Sequence, residues 1–308
     1  MKELTIVMYH YVRPIAESKF PGIKGLELDG FIRQLDYLED NFTIVSVEDI
    51  LDSVLKNKLL PSDACWLTFD DGYKDHFKYV LPELKKRQLQ GAFFPPAFPV
   101  LKDKVLDVNA IHHILAKCSD ISALRMSLDK LCLEASITDA ELEVFWKKYA
   151  VADRFDDDVT IYIKRMLQHV LPERIRNIIT QKLFEEYVGI PIEDFSHELY
   201  MSVSEVCKLV SESMYVGSHG SKHYWLDRLS EKEQRVDIED SLKFLEEVGA
   251  PSKDWVMCYP FGSYNSETLS VLHDLGAKIG VTTEKRKANL AKDNPLIWPR
   301  LDTNDYPQ

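Results

Sequence analysis

Nowhere in this sequence do apolar residues run for anything near the roughly 20 positions that a membrane-spanning helix needs. The first residues also lack the apolar core and small-residue cleavage site of a signal peptide, so a cytoplasmic protein without an integral membrane segment is expected. Cysteine is sparse and unpaired in pattern. Cys65, Cys118, Cys132, Cys207 and Cys258 are widely spaced with no Cys-x-x-Cys, which reads as reduced thiols filling space and not as a disulfide framework. Positive charge is in deficit: 38 Lys and Arg against 50 Asp and Glu give a net charge of −12, which argues against nonspecific binding to nucleic acid or to an anionic membrane and is accounted for by solubility. Glycine nearly disappears between positions 101 and 188, and there is neither an internal repeat nor a low-complexity segment. With 45% hydrophobic residues in 308, the chain can bury a sizeable core, and no long stretch has a disordered composition.

What is present is organised around Ala64-Cys65-Trp66-Leu67-Thr68-Phe69-Asp70-Asp71-Gly72-Tyr73. A β-favouring apolar run leads straight into two carboxylates and a glycine, the pattern of a short buried strand that turns out of its sheet. Consecutive side chains at a strand end point to opposite faces, so Asp70 and Asp71 acquire different neighbours and can take different roles. Taken alone, Asp-Gly after an apolar run is equally a turn signal.

Leu4–Met8 reads as a first strand, putting His10 just past its end. Asp29 is placed to cap a helix carrying Phe31, Leu35 and Leu38, and Ser46 to Asp49 resembles a capping box. After the central strand, Asp75 to Gln88 has a helical pattern that Pro82 should kink, and Gly91 to Phe94 is a second buried strand, which completes a βαβ unit. Residues 101–200 change texture: charged, with helical apolar stripes over 139–150, 159–170 and 172–187. They are read as a helical insertion packed on, or capping, a body formed by 1–100 and 201–308. His112, His113 and His169 fall inside it, where helix-surface roles are expected. The strand and helix alternation then resumes, with strands at 214–217, 255–259, 278–282 and 296–301 and helices opening at Ser202 or Ser204, at Glu231 and at Asn265 or Ser266. Seven or eight short strands with intervening helices imply an α/β fold, a (β/α) barrel or a relative of one, whose functional groups gather at the carboxyl ends of the strands.

Two further strand ends carry chemistry. Ser218-His219-Gly220-Ser221-Lys222-His223 sets two histidines four apart, close enough on one face to reach one divalent cation. With Asp71 they make a two-histidine, one-carboxylate set that leaves a coordination position open, and a cation there lowers the pKa of water and polarises a carbonyl. Asp70, beside it, is free to accept a proton. Tyr259-Pro260-Phe261-Gly262-Ser263-Tyr264-Asn265 is a rigid turn that can aim a backbone N–H, that of Phe261, at an oxyanion, with aromatic rings to wall a sugar.

In this order, Thr68-Phe69-Asp70-Asp71-Gly72, His219-Gly220-Ser221-Lys222-His223 and Tyr259 to Asn265 resemble the first three motifs of the polysaccharide deacetylase family, carbohydrate esterase family 4 or the NodB-homology domain. Val7 to Tyr11 and Gly280 to Thr283 also fit branches of it, and the resemblance covers about two thirds of the chain, omitting the insertion. It implies a distorted barrel of about seven strands and metal-dependent removal of N- or O-acetyl groups from sugars. Asp70 would be the catalytic base; Asp71, His219 and His223 would hold a divalent metal, usually zinc; the Phe261 N–H would complete the oxyanion site. Two departures stand out. The arginine that many members place two residues before the proline of the third motif is Cys258 here, for which Arg300 is the candidate substitute. The late Leu-x-His motif that supplies the general acid has no counterpart, and His10 is the candidate in its place.

The expectation is a cytoplasmic, metal-dependent sugar de-N-acetylase acting on a biosynthetic intermediate of a surface polysaccharide, whether a nucleotide-sugar or a lipid-linked saccharide. The competing readings are a metal-containing but inactive sugar-binding module, and a glycosyltransferase using Asp70-Asp71, which leaves His219 and His223 unexplained.

Overall fold

The structure, a computed structural model, describes residues 3–153 and 156–307. Seven parallel strands form a curled sheet: β1 (Glu3–Tyr9), β2 (Ala64–Asp70), β3 (Ala92–Phe94), β4 (Tyr215–Val216), β5 (Val256–Cys258), β6 (Ile279–Lys285) and β7 (Trp298–Asp302). Their spatial order is β4-β3-β2-β1-β7-β6-β5. The two ends meet at an isolated parallel bridge between Ser218 and Met257, where the Ser218 N–H donates to the Val256 carbonyl (3.1 Å) and the Cys258 N–H to that of Ser218 (2.8 Å), and where the Val256 N–H donates to the Tyr215 hydroxyl (3.0 Å). The architecture is therefore a (β/α) barrel, as the alternating pattern implies, in the distorted form that the family resemblance implies.

Side-chain alternation sorts each strand between two cores. Leu4, Ile6, Ala64, Trp66, Phe94, Val256, Cys258 and Trp298 pack together inside the barrel. Val7, Tyr9, Leu67, Phe69 and Phe93 instead pack outward against Phe31, Leu35, Leu84, Leu209 and Phe244 of the surrounding helices. The same parity puts Asp70 on the inner face with Trp66, Arg300 with Trp298, and His10 in line with Ile6.

The capping boxes at Ser46, Ser202 and Asn265 form. Asp29 does not cap its helix: Leu28–Asn41 starts at Glu27, without a side-chain cap bond, and Asp29 lies in the first turn, where its charge complements the helix dipole. The stretch around Pro82 resolves into a π-turn, His76–Val80, followed by the helix Leu81–Arg87. The Leu81 N–H reaches back to the His76 carbonyl, and the proline, which lacks an N–H, occupies the first turn of the new helix.

The chain divides into two compact units, one comprising Met1–Pro14, Gly25–Asp103 and His197–Gln308, the other Ile15–Lys24 and Lys104–Ser196. The second unit is helical, with Asp107–Lys117, Ile121–Glu134, Asp139–Tyr149, Asp158–Arg165 and Glu173–Val188 as its main elements. Here the surface role expected for His113 is corrected. Its ring is fully buried, edge-on to Phe20 (4.7 Å) and Phe195 (4.6 Å), with Nδ1 2.8 Å from the Asn109 carbonyl, because the helix turns it inward with Ile111 and Ile114.

Candidate active site

At the carboxyl end of β2 the chain leaves the sheet through Asp71 (φ 72°) and Gly72 (φ 67°), both in the left-handed region. Gly72 is required twice over, since a Cβ there would also sit 2.7 Å from the Pro95 Cβ. His223 (φ 55°) and Phe261 (φ 58°) share that backbone region. Each such non-glycine residue costs on the order of 1 kcal/mol or more. Several of the chain's other left-handed positions, Asn57, Gln88 and Asp103, are helix C-caps, whereas these three have no such structural excuse and lie together.

The twist through Asp71 aims its Oδ1 at two imidazoles, with His219 Nε2 and His223 Nε2 each 3.3 Å away. All three residues are buried. Oδ2 accepts a hydrogen bond from Tyr73, while Oδ1 is buried without a hydrogen-bond partner. His219 Nδ1 lies 2.7 Å from the Cys258 carbonyl, which can only accept, so Nδ1 carries a proton and Nε2 is the atom turned toward Asp71. Although burial lowers its pKa, the Cys258 and Asp71 groups beside the ring hold it well above the usual histidine value. Burial lowers the pKa of His223, which favours its neutral ring. A buried carboxylate oxygen facing two imidazole nitrogens calls for positive charge between them, which a proton on His219 or a divalent cation supplies, and the three ligand atoms lie within 4.8 Å of one another. The donor set thus fits a divalent metal. A second grouping, Asp70, His219 and Cys258, is equally compact but already holds a cation, the Arg300 guanidinium.

Arg300 reaches along the barrel interior from β7 and grips Asp70 with two parallel bonds, Nη1 to Oδ1 (2.8 Å) and Nη2 to Oδ2 (2.7 Å). Its Nε donates to the Thr282 carbonyl (2.8 Å), and Nη1 also to the Thr68 hydroxyl (3.1 Å). Burial alone would push the Asp70 carboxyl up; the guanidinium overrides it and brings the pKa down to about 2. His10 Nε2 stands 3.9 Å from Asp70 Oδ2 with its side chain 41% exposed, so it faces both the carboxylate and solvent.

The His219–His223 loop is held from behind by the helix Glu231–Glu247. Asp237 accepts the N–H groups of Ser221 and Lys222 (2.9 Å each), and the Ser218 and Ser241 hydroxyls bond at 2.5 Å. Gly220 is needed for this, as a Cβ would lie 2.6 Å from Asp237 Oδ2. On the other side the Phe261 ring contacts His223 (centroids 4.6 Å apart) and stacks on Trp225 (4.4 Å, 9°). The residues singled out from the sequence are thus brought together: Asp71, His219 and His223 in one cluster, Asp70, Arg300 and His10 in the next. Sequence reasoning missed Tyr73, Asp237 and the rings around Trp225. Asp237 gives no signal, being one acid among many on a charged helix.

A distorted (β/α) barrel with carboxylates and imidazoles converging at its strand ends is an arrangement suited to metal-assisted hydrolysis. Comparison with known proteins agrees: residues 178–280 match the polysaccharide deacetylase family, a segment that includes His219, His223 and the Phe261 turn but not Asp70 and Asp71. The Bacillus subtilis protein YxkH, named for polysaccharide deacetylase activity, is 26% identical over 97 residues, and the match spans about a third of each chain (32% of this one, 34% of YxkH). Among solved structures, the Streptococcus pyogenes deacetylase PplD in complex with acetate aligns with a TM-score of 0.59 at 16% identity, over 97% of this chain and 92% of that one. IcaB from Ammonifex degensii gives 0.58 at 17% identity, over 98% and 91%. The resemblance to the polysaccharide deacetylase family is borne out, by sequence over the matched segment and by fold over nearly the whole chain.

Proposed function

We propose that this protein is a metal-dependent deacetylase that removes an N-acetyl group from a sugar, the substrate being a nucleotide-linked or lipid-linked intermediate of a surface polysaccharide. The observation that carries this reading is the buried, unpartnered Asp71 Oδ1 facing two imidazole nitrogens, next to a carboxylate clamped by arginine. Asp71, His219 and His223 would hold the cation, with zinc the favoured ion for a carboxylate and two imidazoles. When bound, such an ion lowers the pKa of water toward neutrality and polarises an acyl oxygen.

The chain's own groups supply the rest. Asp70, kept ionised by Arg300, accepts the proton of the attacking water. The Phe261 N–H donates to the oxygen on which negative charge develops. His10, half-exposed at the end of β1, delivers a proton to the departing amine. All five cysteines are free thiols, which supports a reducing, cytoplasmic setting. The test is acetate release from N-acetylated sugars with added zinc or cobalt. D70N is expected to keep its metal and lose turnover by a factor of about 10² or more. Full activity in D70N would remove the base assignment, and undiminished metal content in H219A would remove the metal site.

A further inference from the structure

The acidity of the chain makes two cations at the edge of this site conspicuous. Arg228 and Lys222 are both exposed, and neither has a carboxylate within ion-pair distance among the described residues. The acids nearest in sequence are engaged elsewhere. Asp227 accepts from the Ser263 hydroxyl (2.6 Å), and both oxygens of Asp237 accept loop N–H groups. Each cation rests instead on aromatic faces. The Arg228 guanidinium carbon is 5.2 Å from the centre of the Trp225 ring; Lys222 Nζ is 5.6 Å from that of Phe98 and 5.7 Å from that of Tyr224.

The ring beneath Arg228 is continuous with the candidate metal cluster. Trp225 stacks on Phe261, and Phe261 touches His223, so Arg228 sits two rings removed from a candidate metal ligand. Lys222 is the residue preceding that ligand. An acetyl group at the cluster would leave the rest of its sugar beside the Trp225 and Phe261 edges, and substituents on that sugar near the cations. A guanidinium held over an indole has its side chain restrained while its charge stays uncompensated, which suits it to an oxyanion with several acceptor oxygens.

We propose that the acetylated sugar accepted here bears a phosphate, bound by Arg228 with Lys222 as a second positive charge, and that the Trp225–Phe261 stack carries the sugar between phosphate and acetyl group. This rests on the deacetylase reading and specifies its substrate class: a phosphate-linked sugar in preference to a neutral glycan chain.

The experiment compares N-acetylglucosamine 1-phosphate with methyl N-acetylglucosaminide on the zinc-loaded full chain, by calorimetric binding and by acetate release. The phosphorylated sugar is expected to bind about tenfold tighter or more, an advantage that shrinks as salt is raised. R228Q/K222Q should bring the ratio of the two affinities toward unity, and R228K, which keeps the charge but not the fork, should retain part of it. Equal affinities in the unmodified protein, a preference that survives R228Q/K222Q, or no binding of either sugar would overturn the proposal. A phosphate preference that is lost in R228Q/K222Q, with acetate released from neither sugar, would uphold the anion site and overturn the deacetylase reading instead.

Discussion

Arg300 and Asp70 form the most consequential pair in the molecule, because both are buried and each is the other's main compensation. Replacing such a pair by apolar groups can be nearly neutral, but removing one member leaves a stranded charge. R300M is therefore expected to lower stability by about 3–5 kcal/mol, measured by chemical denaturation, and to abolish acetate release. D70N/R300M should recover much of that stability without recovering activity. His76 shows how burial becomes pH dependence. Its ring is fully enclosed, Nε2 lies 2.8 Å from the His10 carbonyl, and burial lowers its pKa to about 4. The unfolded chain binds the proton first, near pH 6.5, so stability is complete above that value and is lost as pH falls through the folded pKa, by about 3 kcal/mol at pH 4 and below. Asp75, raised to about 6 mainly by burial, works in the opposite direction, since protonation favours its folded form as pH falls. Comparing H76Q with the parent isolates the imidazole: the variant's denaturation midpoint should fall less steeply between pH 6.5 and 4.

At the scale of elements, the site depends on how one helix grips one loop. The helix Glu231–Glu247 offers Asp237 and Ser241, one turn apart, to the segment that carries both histidines. Asp237 does not touch the candidate cation but holds the Ser221 and Lys222 N–H groups just before His223, whose imidazole would bind it. D237A removes two charge-assisted acceptors and leaves the buried Ser221 N–H and the part-buried Lys222 N–H unmatched. The expected result is a zinc or cobalt affinity lower by about 10- to 100-fold, read by calorimetric titration, in a protein that keeps its helical and strand content. An unchanged affinity would show that the loop holds its shape unaided.

At the scale of the whole molecule, the helical unit is discontinuous in sequence. Ile15–Lys24 belongs to it as much as Lys104–Ser196 does, and Phe20 is the hinge of that arrangement, packed edge-on to His113 and Phe195. F20A should destabilise this unit by about 3 kcal/mol, seen as an earlier step in thermal or denaturant unfolding.

The amino-acid order by itself determined the elements and the chemistry on offer. Period-2 and period-3.6 patterns, capping boxes and glycine positions are local properties, so the barrel strands, the helix starts at Ser46, Ser202 and Asn265, and the carboxylate and imidazole strand ends could be read directly. Local reading failed where a longer-range requirement overrode it. Leu28–Asn41 begins earlier than the Asp29 cap suggests, and the inward face of Asp107–Lys117 claims His113 for the core. Only the tertiary structure decided which groups meet. Side-chain parity along β2 and β7, separated by more than two hundred residues, brings Arg300 onto Asp70; the single bridge at Ser218 and Met257 draws the histidine loop to the Cys258 carbonyl; Asp237 is selected from an otherwise unremarkable charged helix. Such contacts depend on sheet register and closure, which arise from packing the entire barrel, and no short stretch of residues encodes them.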